Sequence, residues 1–108
     1  MSSSQLLKGI LEGCLLSIIG KGETYGYEMI EKLYAYGFTM VKEGSIYPLL
    51  LRMKKEGLVT TTQKQHPSGG PKRKYYALTE LGREELQLFK ERWKEIADGV
   101  DELLKEEG

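Results

Sequence analysis

The sequence predicts a mainly α fold with a small β-hairpin: a winged helix-turn-helix followed by a long C-terminal dimerisation helix. Three observations predict it. Two short helical patterns, Tyr25–Tyr36 and one starting near Glu43, flank a compact connection over Gly37–Lys42, the outline of a helix-turn-helix. The second pattern hands directly onto a β-branched strand, a Gly- and Pro-rich basic loop and a Tyr-rich return strand that ends at Leu78. From Thr79 onward the apolar residues fall at heptad spacing. Residues 1–78 therefore read as one compact unit and residues 79–108 as a helical extension of it.

The bulk numbers narrow the function classes. A chain of 108 residues buries roughly two thirds of its unfolded surface, enough for a core without disulfides or metal. The single cysteine, Cys14, has no partner within the chain, and a reducing, cytoplasmic setting is the natural expectation. No apolar run approaches the ~18 residues of a membrane span, and MSSSQLLKG lacks the pattern of a secretory leader. Net charge is zero, but its distribution is not uniform. Residues 1–75 hold 11 Lys/Arg against 6 Asp/Glu, a net of +5; residues 76–108 hold 5 against 10, a net of −5. A basic body with an acidic tail suits a protein that meets an anion at one end, although solubilising charge alone would also produce it.

In the first helix, Leu6, Leu7, Ile10, Leu11, Leu15, Ile18 and Ile19 recur at steps of three and four until Gly20-Lys21-Gly22. Cys14 and Leu16 widen the stripe, so this helix is expected to touch both its own domain and something else. Cys14 reads as a small buried hydrophobe rather than a redox thiol, with Glu12 nearby. Glu23-Thr24 supplies an N-cap for the second helix, whose apolar face is Tyr27, Ile30, Leu33 and Tyr34 and whose stop is Gly37. Gly26 near its start permits close approach of another backbone or a phosphate.

The third helix places Ile46, Leu49, Leu50 and Met53 on one side and Gly44, Pro48, Leu51, Arg52 and Lys55 on the other, with Tyr47 at the flank. Pro48 is expected in the first turn, where its missing N–H matters least. Small or stiff residues there (Gly44, Ser45, Pro48) would let the helix end sit deep in a groove. Leu51 is either a scattered surface leucine or a contact for a thymine methyl. Gly57 stops the helix; Leu58–Thr62 and Lys74–Leu78 pair around the loop Gln65–Pro71. Between Arg52 and Lys74 lie seven basic residues and one acid, Glu56. A helix of major-groove size running into a mobile basic hairpin suits duplex DNA.

Thr79-Glu80 caps the last helix. Its seam, Leu86, Phe89, Trp93, Ile96, Val100 and Leu103, is spaced 3, 4, 3, 4, 3. About 28 residues at 1.5 Å make roughly 40 Å of helix, more than the small domain covers, so symmetric pairing with a second copy is expected. Trp93 on that seam reads as an interface residue, or as a ring that stacks on an aromatic guest at a two-fold axis. Enzyme chemistry finds no footing: one histidine and one cysteine make neither a zinc site nor a triad, and Gly20-Lys21-Gly22 lacks the context of a phosphate loop. No metal and no cofactor is expected.

Four segments carry a family likeness: Tyr25-Gly26-Tyr27-Glu28, Glu43-Gly44-Ser45-Ile46-Tyr47-Pro48-Leu49-Leu50, Glu56-Gly57-Leu58-Val59, and Arg73 to Gly82. In this order, over nearly the whole chain, they resemble the PadR family of transcriptional regulators. The single C-terminal helix looks like the compact subgroup. The resemblance implies a winged-helix dimer that represses transcription and releases operator DNA on binding a small molecule. Carried over residue by residue, it implies Ser45, Tyr47, Pro48 and Arg52 in the major groove. Lys55, Lys64, His66, Lys72, Arg73 and Lys74 would then lie near phosphate, with Tyr25 and Gly26 also among the DNA contacts. The first and last helices would dimerise through Leu6, Ile10, Leu86, Phe89, Trp93, Ile96, Val100 and Leu103. Trp93 falls where some compact members, similar to multidrug sensors, stack planar aromatic molecules, with Phe89 and Leu15 beside it. Two other functions fit a winged helix: an adaptor for a protein partner, which the basic bias of Arg52–Lys74 disfavours, and a carrier of aromatic molecules without DNA affinity.

Overall fold

The computed structural model describes residues 1–106; Glu107 and Gly108, the end of the segment read as 79–108, lie outside the described residues. Eight elements follow in order: α1 (Ser3–Lys8), α2 (Leu11–Gly20), β1 (Thr24–Tyr25), α3 (Gly26–Ala35), α4 (Glu43–Lys55), β2 (Val59–Lys64), β3 (Arg73–Leu78) and α5 (Glu80–Glu106). The mainly helical architecture, the hairpin and the long last helix agree with expectation.

The single N-terminal helix does not: it is two. A capping box opens α1, with Ser2 Oγ accepting from the Gln5 N–H at 3.2 Å and Gln5 Oε1 accepting from the Ser2 N–H at 3.0 Å. Gly9, a poor helix former, ends it, and the Ile10 N–H takes the Leu7 carbonyl at 2.9 Å in a tighter turn. The break lets Leu7 and Leu11 both reach the core while Leu6 stays 65% exposed.

The cap expected of Glu23-Thr24 is not made. Thr24 and Tyr25 form a short strand ahead of α3, Thr24 opposite Tyr76 and Tyr25 opposite Tyr75, which makes a three-stranded sheet of order β1-β3-β2. Tyr25 is the N-cap residue of α3 and makes no side-chain cap bond; the Thr24 hydroxyl donates to Glu28 Oε1 at 2.9 Å. A strand of two residues has no period to detect. The buried face of α3 is Gly26, Met29, Ile30 and Leu33, whereas Tyr27 and Tyr34 are exposed. Tyrosine tolerates either side, and the unbranched Met29 fills the core position.

The helix stops hold. Gly37 (φ 92°) follows α3, its N–H on the Tyr34 carbonyl and that of Phe38 on Leu33, both at 2.9 Å. Gly57 (φ 77°) does the same for α4, with Gly57 N–H on Lys54 at 3.0 Å and Leu58 N–H on Met53 at 2.9 Å. Both are Schellman closures, which need a residue free to adopt positive φ. Pro48, expected in the first turn of α4, sits in the second, because the helix begins at Glu43. It therefore removes the helical bond to the exposed Gly44 carbonyl.

Ile46, Leu50 and Met53 of α4 are fully enclosed with Leu15, Ile19, Met29 and Leu33, so the core is the space where α2, α3 and α4 meet the sheet. Strands β2 and β3 pair from Val59↔Leu78 to Lys64↔Arg73. Thr79 joins hairpin to helix: its hydroxyl accepts from the Gly82 N–H at 3.0 Å and donates to the Gly57 carbonyl at 2.6 Å. Gly82 is buried against the Leu58 carbonyl, leaving no space for a side chain.

Candidate nucleic-acid interface

The exposed start of α4 and the hairpin β2–β3 carry most of the residues expected to meet DNA. Ser45, Tyr47 and Pro48 are solvent-exposed on the first two turns of α4, so this end is free to enter a groove. Tyr47 is 45% exposed and donates its hydroxyl proton to Glu43 Oε2 at 3.0 Å. Burial of part of the ring, followed by the neighbouring carboxylate, pushes the Tyr47 phenol above its ordinary value, so it remains protonated. Leu51 lies bare on the same helix.

Arg52 is differently placed from Ser45 and Tyr47. Its guanidinium is hydrogen-bonded to Glu12 of α2 and lies 3.9 Å from Glu56. The Glu12 hydrogen bond, then its charge, raises the guanidinium pKa further. Lys64, near the end of β2, is likewise hydrogen-bonded to Glu23, which also accepts from the Thr62 hydroxyl at 3.3 Å. Neither acid was legible in the sequence as a partner of these cations, since Glu12 is 40 positions from Arg52 and Glu23 is 41 from Lys64.

The base of the wing is an aromatic cluster around Tyr25. The His66 ring meets Tyr25 edge-on at 5.7 Å and Tyr75 does so at 5.3 Å. Arg73 lies over the Tyr25 ring at 4.6 Å and Lys64 over Tyr75 at 4.7 Å. Such cation–π contacts contribute about 0.5–1 kcal/mol at exposed sites, and here they hold two cations on one side of the sheet. His66 Nδ1 accepts from the Ser68 N–H at 3.1 Å, which shapes the loop tip. Lys55, Lys72 and Lys74 are exposed, and no described acid pairs with them.

Between α3, α4 and β3 opens a cleft of about 590 Å³, lined by Tyr25, Gly26, Tyr27, Tyr47, Arg73, Lys74 and Tyr76. It gathers five residues expected at DNA with two, Tyr27 and Tyr76, that sequence reasoning had not assigned to a site. Adjacent strand residues point to opposite faces, so one of Tyr75 and Tyr76 should be wet; in fact both are buried, because the Tyr25 cluster covers the second face. A methyl group on Gly26 would stand 2.6 Å from the Tyr47 hydroxyl oxygen. The close approach expected at Gly26 is thus made by a side chain.

The ligand and dimer residues divide. Leu15 is completely enclosed in the core. Phe89 lies against Gly13 and Leu86 beside Gly20, both on α2 of the same chain. Trp93, Ile96, Val100 and Leu103 are between 46% and 65% exposed. A second cleft of about 730 Å³ runs between α1 and α5, bordered by Leu6, Ile10, Phe38, Met40, Trp93 and Ile96. No group of His, Cys, Asp and Glu able to hold a metal occurs among the described residues, and none of the described helices is long and apolar enough to cross a membrane.

Residues 15–88 match the model of the transcriptional regulator PadR-like family. Among solved structures, a PadR-like transcriptional regulator from Bacillus cereus strain ATCC 14579 is 55% identical, covers 94% of this chain and 97% of its own, and superposes with a TM-score of 0.86. A Streptococcus transcriptional regulator is 39% identical over 92% of this chain and 96% of its own, with a TM-score of 0.83. A PadR family transcriptional regulator from Eggerthella lenta DSM 2243 is 30% identical over 93% and 86%, with a TM-score of 0.80. These are regulators, not enzymes. With the winged-helix architecture and the basic hairpin described above, they establish that the chain belongs to the PadR-like family of transcriptional regulators.

Proposed function

We propose that the chain is a homodimeric, sequence-specific DNA-binding repressor that leaves its operator when a planar aromatic small molecule binds. The observation that carries this reading is the bare half of the α5 seam. Trp93, Ile96, Val100 and Leu103 have little cover within the chain, next to the equally bare Leu6 of α1. An apolar stripe of that length is stable in water only against a partner helix, and a second copy supplies one by symmetry. Residues 79–108 are then the dimerisation helix, anchored to its own chain by Leu86 and Phe89, and residues 1–78 are the DNA-binding domain. Two such domains carry two α4 helices, with Ser45, Tyr47 and Pro48 toward the major groove. Lys55, His66, Lys72, Arg73 and Lys74 lie toward phosphate; Arg52 and Lys64 join them by exchanging a carboxylate for a phosphate.

Trp93 and the cleft beside α1 are of the size and apolar character that suit a small aromatic ligand. A ligand that favours one spacing of the two domains over another shifts the population away from the DNA-competent form. A regulator of this kind works in the cytoplasm, where the operator is.

Sedimentation of the full chain at micromolar concentration, with a gel shift on its own upstream region, tests the proposal. A dimer is expected, with half-sites about 34 Å apart and an affinity that falls by roughly 0.9 in slope per neutralised phosphate as salt rises. A single chain, or no shift at low salt, would overturn it. Trp93 fluorescence titrated with planar aromatic cations tests the effector arm; an unchanged signal across a diverse panel removes that arm.

A further inference from the structure

We propose that α1 is a strap hinged at Gly9, that a second copy of the chain seats it, and that its Leu7 then sets the DNA-facing start of α4. The reading end of each chain is complete only in the pair. Of the six described residues of the strap only Leu7 is buried, and six residues fall well short of the ~12–15 at which a helix becomes marginally stable by itself in water. Beyond the hinge, α2 is fixed by Leu11, Leu15, Leu16 and Ile19. Neither strain nor packing calls for glycine between them: the φ of Gly9 is −77°, and a β-carbon there would meet nothing within 4 Å. What the glycine adds is backbone freedom. A segment with one anchor and an open hinge belongs to the low-stability end of a fold.

That one anchor stands at a partition. Leu7 and Met40 line both the cleft of about 730 Å³ beside Trp93 and a smaller cleft of about 340 Å³, which runs along Val41 and Leu49 to Ser45. Met40 belongs to the turn that leads into α4. Two residues on, Lys42 is the N-cap and makes no side-chain cap bond. The first turn of α4 is therefore placed by the buried Val41 and by the Ser45 N–H on the Lys42 carbonyl at 2.8 Å. Without Leu7 the two clefts join, and Met40 and Val41 lose a wall. The other side of α1 faces the partner: Leu6, 65% exposed, and Ile10 four positions on border the larger cleft with Trp93 and Ile96. A second copy that covers the bare α5 seam covers Leu6 with it, and so holds α1 down with Leu7 inward. Seated and released strap are the two states, and pairing favours the first.

This inference rests on the homodimer of the proposed function, and the experiment tells the two apart. The Leu6 and Ile10 amides donate to the Ser2 and Leu7 carbonyls at 3.2 and 2.9 Å; their hydrogen exchange is followed in wild type and in Ile96→Glu, together with the Val41 and Ser45 amide resonances. In a monomeric Ile96→Glu the strap amides are expected to exchange about tenfold faster than in the wild-type pair, the worth of covering one leucine-sized side chain. Val41 and Ser45 should move with them. Gly9→Ala added to that monomer should slow the strap again, and no slowing removes the hinge. Equal strap exchange in monomer and pair overturns the inference and leaves the homodimer intact; so does a released strap with Val41 and Ser45 unmoved. A pair that survives Ile96→Glu overturns it too, because the interface then lies elsewhere. Leu7→Ala, still paired through α5, tests the relay whether or not the monomer folds. It should shift Ser45 and bind a mixed-sequence duplex about tenfold more weakly as the competent fraction falls; an unmoved Ser45 or wild-type affinity overturns the inference. Wild type that sediments as a single chain overturns both.

Discussion

A β-carbon at position 82 would collide with the Leu58 carbonyl. That oxygen belongs to backbone already tied to the Thr79 N–H at 3.0 Å, so it cannot swing aside cheaply. Gly82→Ala should destabilise the protein by about 1–3 kcal/mol, the range for overpacking a filled site, measured by urea unfolding. Wild-type stability in that variant would mean that the α5–hairpin junction yields. Glu23 offers a pH-dependent test on the same scale. The hydrogen bond from Lys64, with its charge and the Thr62 hydroxyl in support, holds the Glu23 carboxyl below the ordinary 4.5. A carboxyl lowered on folding stabilises the fold above its unfolded value, and that contribution is lost as pH falls through the folded one. Glu23→Gln should therefore flatten the acid limb of the stability curve slightly, since the pair is exposed. It should also strengthen duplex binding, because Lys64 no longer gives up a carboxylate to reach phosphate. A weaker complex would place Lys64 away from the DNA.

At the scale of elements, α4 carries a proline where a helix least accepts one. Pro48 is exposed and lies six positions into a thirteen-residue helix, so little packing accounts for it. Pro48→Ala restores the bond to the Gly44 carbonyl and is expected to stabilise the domain by about 1–3 kcal/mol, given the helix penalty of proline. Thermal unfolding checks the gain, and an unchanged or lowered midpoint would show that the ring itself is held by contacts. The Schellman closures at Gly37 and Gly57 were legible because glycine at a helix end has a local cause. Thr79 was legible for the same reason: its cap bond to Gly82 spans three residues. The two-residue β1 was not, because its pairing with β3 lies about 50 positions away and carries no periodic signal. The start of α4 near Glu43 was legible, but Pro48 lies a turn deeper than expected, because a rule for proline in isolated helices was applied to one held by its core face.

Over the whole molecule, the last helix does two jobs along one seam. Its extension beyond the globular part gives the chain dimensions of 54 × 28 × 21 Å. Leu86→Ala should lower the stability of each chain by about 1–3 kcal/mol, less than a fully buried leucine would cost, with the dimer retained once folded. Ile96→Glu should do the opposite, abolishing the concentration dependence of the melting temperature that an associating protein shows while the helix stays formed by circular dichroism. Sedimentation of both variants reads the difference. A dimer that survives Ile96→Glu would move the interface off this seam.

Local chemistry in the chain determined the helices, their stops, the hairpin, the heptad spacing and the charge bias, because each depends on residues a few positions apart. The motifs of Tyr25–Glu28, Glu43–Leu50 and Arg73–Gly82 carried the family on the same local basis. Only the tertiary structure decided which half of the heptad seam is already covered, since Gly13 and Gly20 must first be brought against Phe89 and Leu86. The same is true of the acids that hold Arg52 and Lys64: contacts between positions 40 or more apart follow from how the elements pack, and no pattern along the chain encodes them.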